Sequence, residues 1–376
     1  MSPARLDEYP IHQSPHSLRY VPSSDRNFYD RCYFNAHDRT GDVFVVTGGG
    51  VYPNLGVIDA YATVRRGDRQ WTVRCSDAMD DRPLDLSVGP YRVEVLEPLE
   101  VIRIVCDGDD HGLGFDLTWR GSFPAVDEHP HLMRAGARAI LDAQRFAQVG
   151  TWEGELRVDG ATIAVDPSVW VGTRDRSWGI RPVGEAEPPG RAASEPLEGF
   201  WWLYVPMRFE DYSVILICQE EADGFRFLND AARVWPDGRV EQLGWPRVRI
   251  EYRSGTRHPT GATIALTDAD GEPLTMHCET LGFVGLNVGA GYGGDPDWGH
   301  GQWRGRGWVE GAVYDMTDPQ VVARVPFSVV DHVGRVELEG PSAGPRGRSE
   351  GWGLFEHGTF GRHDPSGFAD WGSVAP

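Results

Sequence analysis

The feature that most limits the fold of this chain is its succession of short, turn-bounded apolar runs. From Phe28 to about residue 130 the segments "DVFVVTG", "IDAYATVRRGDRQWTVRC", "YRVEVLEP" and "EVIRIVCDGDDHGLGFDLTWRG" follow one another, rich in Val, Ile, Tyr and Thr. "YRVEVLEP" and "GFDLTW" alternate with period two, which sends one face of an extended strand toward a core. "RRGDRQ" and "CDGDDHG" carry the Gly and Asp that tight hairpins need. The pattern restarts with "GFWWLYVPMRF", "YSVILICQE" and "GFRFLNDAARVWPDGRVEQL", and Asp237-Gly238 and Asp270-Gly271 sit between apolar runs. Two antiparallel halves of this kind fit barrels or sandwiches better than a parallel α/β design. One stretch departs from the pattern: "LMRAGARAILDAQRFAQ" (132–148) suits either a helix, with Leu132, Ala139, Ile140 and Phe146 along one side, or a connector ending in a strand.

A length of 376 residues suits two domains. Prolines at 3, 10, 15 and 22 make residues 1–27 an extended N-terminal segment. Residues 28–182 form the first unit. Residues 183–198, "VGEAEPPGRAASEPLE", lose all periodicity and read as a linker. Residues 199–376 form the second unit with a C-terminal tail.

The net charge of −20 repels phosphate backbones and anionic membrane surfaces, so nucleic acid is excluded as a first partner. All 36 basic residues are arginine, which rules out a lysine Schiff base and a lysine-bearing phosphate loop. Five cysteines stand far apart with no C-x-x-C pair, as expected of reduced thiols in the cytoplasm. The longest apolar stretch, around "YSVILIC", is far short of a membrane span.

Two motifs match by letter only. "GAGYGG" places Gly289, Gly291 and Gly294 in a dinucleotide-type spacing, but "DPDWGHG" follows where a helix would have to hold the pyrophosphate. "DEHPH" sets His129 and His131 beside Asp127 and Glu128 without a third histidine at matching spacing, so no metal is expected.

Three stretches carry the chemistry. In "VGTRDRSWGIRP" (171–182), strand periodicity puts Thr173, Asp175 and Ser177 on one face and Arg174, Arg176 and Trp178 on the other. Facing an apolar barrel interior, Asp175 would stay protonated and serve as a general acid; met by an arginine, it would be an ion pair bracing two strands. In 291–315, Tyr292, Trp298, Trp303 and Trp308 gather with His300 and Glu310, as a cavity mouth or as barrel plugs. Of the acids there, Glu310 is expected to point inward. In "GWGLFEHGTFGRHDP" (351–365), Glu356 and His357 suit an acid–base pair by type, but adjacent strand residues face opposite ways.

The run "FAQVGTWEGELRVDG…VGTRDRSWGIRP", with "GYGG…WGHG" and "GLFEHGTFGRHDPSGF", resembles the tandem lipocalin-like proteins related to carotenoid 1,2-hydratase (hydroxyneurosporene synthase), in an actinobacterial and proteobacterial branch. The resemblance covers most of the chain from about residue 30. It implies an all-β fold of two lipocalin-like antiparallel β-barrel domains in tandem, with a hydrophobic small-molecule ligand. In that group the residue after the Asp is often His, whereas Arg176 stands there in this chain.

These readings combine into a ranked expectation. First is a cofactor-independent acid catalyst, a hydratase, dehydratase, isomerase or cyclase, working on an isoprenoid, steroid or lipid-like substrate. Asp175 or Glu310 would protonate the alkene, His300 would activate water, and Trp178, Tyr292, Trp298 and Trp303 would bind substrate and face the developing cation. Second is a non-catalytic carrier of a lipophilic molecule; third is a scaffold with both barrels packed solid. No metal or cofactor and no integral membrane association are expected, and a homodimer is left open.

Overall fold

In the computed structural model, residues 5–10, 21–80, 84, 86–135, 138–183, 197–293 and 295–376 are described. Most of the linker at 183–198, much of the N-terminal segment and Gly294 lie outside them. Two curled antiparallel sheets make up the molecule, and its only α-helix among the described residues is the single turn Pro319–Val322. The all-β, tandem lipocalin-like architecture is therefore present.

The first sheet runs in the order 308–315, 69–78, 57–66, 43–52, 28–37, 171–180, 138–158, 113–121, 101–106, 91–97, 86–88. It curls round Phe34, Trp71, Phe115, Trp119 and Trp152 as a packed interior. In the second sheet the order is 240–242, 226–234, 213–220, 199–204, 348–361, 330–339, 273–285, 259–267, 247–252, round Trp201, Leu203, Leu216, Met276 and Phe355. The expected Asp-Gly turns do join strands: 237–238 lies between 226–234 and 240–242, and 270–271 between 259–267 and 273–285.

One element settles a choice that the sequence leaves open, and one differs from the sequence expectation. The alanine-rich stretch is a hairpin of strands His131–Ala135 and Arg138–Val158, not a helix. Pairing on both edges, with 171–180 and with 113–121 among others, outweighs alanine's helix preference. The strand Trp308–Asp315, expected within the second unit, is hydrogen-bonded to 69–78 and so completes the first sheet.

The barrels pack back to back. Tyr33, Phe44, Val46, Tyr61, Ala147 and Val149 of the first meet Tyr204, Ile215, Ile217, Val284, Val333 and Leu354 of the second in one apolar layer. Strand alternation explains the division: Cys32, Phe34 and Ala36 point into the first barrel, while Tyr33 points out to its neighbour. Gly289 to Gln302 then crosses over the outer face of the first sheet, where Trp298 and Tyr292 join the same layer.

Candidate functional site

The strand 171–180 lies between 28–37 and 138–158, with Asp175 opposite Tyr33 on one side and Ala147 on the other. Its charges split between the two faces as alternation requires. Arg174 pairs with Glu8 at 2.7 Å and Arg176 with Asp30 at 3.1 Å, all four buried, so the N-terminal turn Arg5–Glu8 plugs that side. Asp175 takes the opposite face and enters the layer between the barrels, an orientation that the sequence leaves open.

An arginine is there to meet it, but it is already engaged. Arg145, two residues before Ala147, binds Glu128 through Nε at 2.6 Å and Nη2 at 3.0 Å, and its Nη1 lies 3.8 Å from Asp175 Oδ2. Burial raises Asp175; Arg145 only partly opposes this, and Glu128 and Glu356 add repulsion, so the carboxyl is pushed up to about 7. Glu128 shows the contrast: burial would raise it, yet Arg145 and a 3.2 Å contact to His131 outweigh burial and hold it below its usual value. His131 therefore serves Glu128, and the "DEHPH" stretch is an ion-pair support.

Two further carboxyls approach from the second barrel. Asp331 and Glu356 are register partners on adjacent strands, and Glu356 is also opposite Tyr204. Burial and mutual repulsion raise Asp331 well above the carboxylate range, and burial raises Glu356. Two carboxyls in hydrogen-bonding contact need a shared proton. Tyr33 donates to Asp331 Oδ2 at 2.5 Å, and Asn35 Nδ2 donates to the phenol oxygen at 3.2 Å, which fixes the direction of that O–H. Trp202 Nε1 donates to Glu356. The arrangement repeats between barrels: Tyr33 stands opposite Asp175 in the first and Tyr204 opposite Glu356 in the second.

Asp331 was missed by sequence reasoning; its signal is an acid inside the apolar run "VVDHVGRVELE". Glu356 and His357 do face apart as alternation requires: Glu356 faces the first barrel, and His357 points into the second, with 2.9 Å between its Nε2 and the Tyr252 hydroxyl.

The other sequence candidates fall in three places. His300, Tyr292 and Trp298 form an aromatic group with Tyr61, in which the Tyr61 and Tyr292 hydroxyls are 3.0 Å apart and Arg31 lies over the Tyr292 ring. His300 Nδ1 is 3.5 Å from Asp59, and burial, reinforced by Arg31, pushes the imidazole down to about 4. It is neutral at neutral pH and a weak base. Glu310 corrects the expectation of an inward acid: it binds Arg74 at 2.9 Å and its side chain is 40% exposed. Trp178 lies toward the end of its strand beside Phe146, and Trp303 is 45% exposed, so neither joins the carboxyl group.

What fold and site define is a two-barrel all-β protein with buried carboxyls of raised proton affinity between its barrels. The chain belongs to the family described as "Family of unknown function (DUF8625)", whose pattern matches residues 4–369. No curated protein matches it in sequence. Among solved structures, one designated AttH from Nitrosomonas europaea shares the fold at a TM-score of 0.51, with 13% identity over 88% of this chain and 92% of that one. Kievitone hydratase from Nectria haematococca aligns at 0.49, 12% identity, over 93% and 97%, and CghA at 0.49, 13% identity, over 88% and 88%.

Proposed function

We propose that the protein is a cofactor-independent acid catalyst of the hydratase, isomerase or cyclase type, acting on a C=C bond of an apolar isoprenoid, steroid or lipid-like small molecule. The observation that carries this reading is Asp175, buried between the barrels at about 7 with its nearest arginine engaged by Glu128. A carboxyl that titrates near neutral pH holds a proton to give and can take one back.

In this reading the Asp175 proton passes to one alkene carbon, the π electron pair forming the new C–H bond. The cation left on the other carbon faces the Tyr33 ring, because Arg145 already lies over the Tyr204 ring at 4.1 Å and the Trp202 ring at 5.7 Å. In hydration, water adds to that carbon and returns a proton to the Asp175 carboxylate; in isomerisation, loss of a neighbouring proton does so. Asp331 and Glu356, sharing a proton with Tyr33 attached, keep the surroundings from accumulating negative charge. Glu310 has no part, and His300 orients substrate or water without acting as a strong base.

Native mass spectrometry of the purified protein, followed by extraction, names the substrate class. The expected result is an apolar small molecule that the wild type converts, with deuterium from heavy water entering a C–H bond, and that Asp175→Asn leaves unchanged. Undiminished conversion by Asp175→Asn overturns the assignment. A bound molecule that the wild type never converts supports the carrier reading instead.

A further inference from the structure

A cleft of about 280 Å³ opens at one end of the seam between the barrels, lined among others by Arg65, Arg253, His258, Thr260, Thr280 and Phe283. None of its lining residues belongs to the carboxyl group around Asp175, so a ligand in this cleft is independent of acid catalysis there.

Its wall is set by two glycines. Gly41, in the turn between strands 28–37 and 43–52, and Gly282, in the strand 273–285, touch backbone to backbone; a Cβ on either would run into the other's main chain. Gly41 also has φ +82°, a left-handed conformation that other residues adopt only under strain. This contact fixes the hairpin of one barrel against the strand of the other.

The polar groups of the cleft are unequal. Thr280 Oγ1 already donates to Pro259 O at 2.9 Å and Thr260 Oγ1 to Glu251 O at 3.2 Å. His258 Nε2 lies 3.3 Å from His332 Nε2, which leaves one proton between those two nitrogens. The two arginines are the donors left over. Arg65 is held by Nε to Gly67 O at 3.0 Å and by Nη1 to Phe283 O at 3.4 Å, its guanidinium 4.2 Å from the centre of the Phe283 ring, so Nη2 is unspent. Arg253 sits in the turn between 247–252 and 259–267. Among the described residues neither has a carboxylate within ion-pair distance, and Asp68 only partly offsets the burial of Arg65, although acids outnumber bases by 20 over the chain. Phe283, Leu281 and Pro259 supply an apolar wall beside these two charges.

We propose that this cleft binds a small apolar carboxylate, its carboxylate held between Arg65 and Arg253 and its hydrocarbon body against Phe283, Leu281 and Pro259. Planar guanidinium groups match a carboxylate with paired N–H donors, and the fixed position of Arg65 lowers the ordering cost of binding.

Isothermal titration of the full chain with octanoate, inorganic phosphate and octanol tests the site. Octanoate is expected to bind, with phosphate and octanol each much weaker, since each supplies half of the recognition. Arg65→Ala and Arg253→Ala should each weaken octanoate roughly tenfold or more, the scale of losing one charge-assisted hydrogen-bonded contact. Arg253 is exposed, so its variant tests the site even if Arg65→Ala disturbs the seam. Arg306→Ala, at an exposed ion pair elsewhere, should change nothing. The proposal is overturned if octanoate fails to bind, if phosphate or octanol binds as well, or if both cleft variants retain full affinity.

Discussion

At the scale of single residues, Asp175 is held in a form that costs stability at neutral pH. Its folded-state value, raised from 3.8 to about 7, means the folded chain binds this proton more tightly than the unfolded chain between those limits. Its contribution is complete below about 4, declines as pH rises toward 7, and is absent above. Asp175→Asn is therefore expected to be more stable than wild type at pH 8, on the order of 2 kcal/mol, with the difference shrinking by pH 5. Denaturant titrations at the two pH values check this, and equal stability at both would contradict it. Alternation in "TRDRSW" already separates Asp175 from Arg174 and Arg176. It carries no information about Arg145, 30 residues earlier, because that neighbour is set by register across 138–158 and 171–180. Glu310 illustrates the same limit: period two places it on a face, and only the pairing with 69–78 brings Arg74 to it.

Among elements, the hairpin strands were legible because their turns and alternation are local. Two were not: 138–158, where pairing on both edges overrides alanine's preference, and 308–315, whose partner strand lies more than 200 residues earlier. The segment between Gly289 and Gln302 depends on one buried acid. Asp295 accepts from the Gly289 N–H at 3.0 Å and the Gly291 N–H at 3.4 Å, and pairs with Arg324 at 2.5 Å. Asp295→Ala removes all three and leaves buried donors unmet, which costs about 1–3 kcal/mol for each such group. Hydrogen exchange should then quicken at 286–302, while strand 28–37 keeps its protection. Unchanged exchange in the 286–302 segment would show that Trp298 and its neighbours hold it without Asp295.

The whole molecule is more entangled than a chain of two successive barrels. Strand 308–315 completes the first sheet, and the apolar layer from Tyr33 to Val149 is covered by the second barrel. A fragment of residues 1–198 lacks that strand and exposes that layer, so it should be insoluble or only partly folded, whereas the full chain unfolds in one transition. A fragment that folds and melts like the intact protein would show the barrels to be independent. The site is a consequence of the same packing, since Asp175 comes from one barrel and Asp331 and Glu356 from the other, and each is dry because the other barrel covers it. The claim common to these scales is that Asp175 titrates near neutral pH, far above an ordinary aspartate. Its most direct measure is the carboxyl carbon resonance of Asp175, assigned by its loss in Asp175→Asn and followed with pH. The structure predicts a midpoint at about 7, and a midpoint at about 4, the range of an ordinary aspartate, would contradict the account.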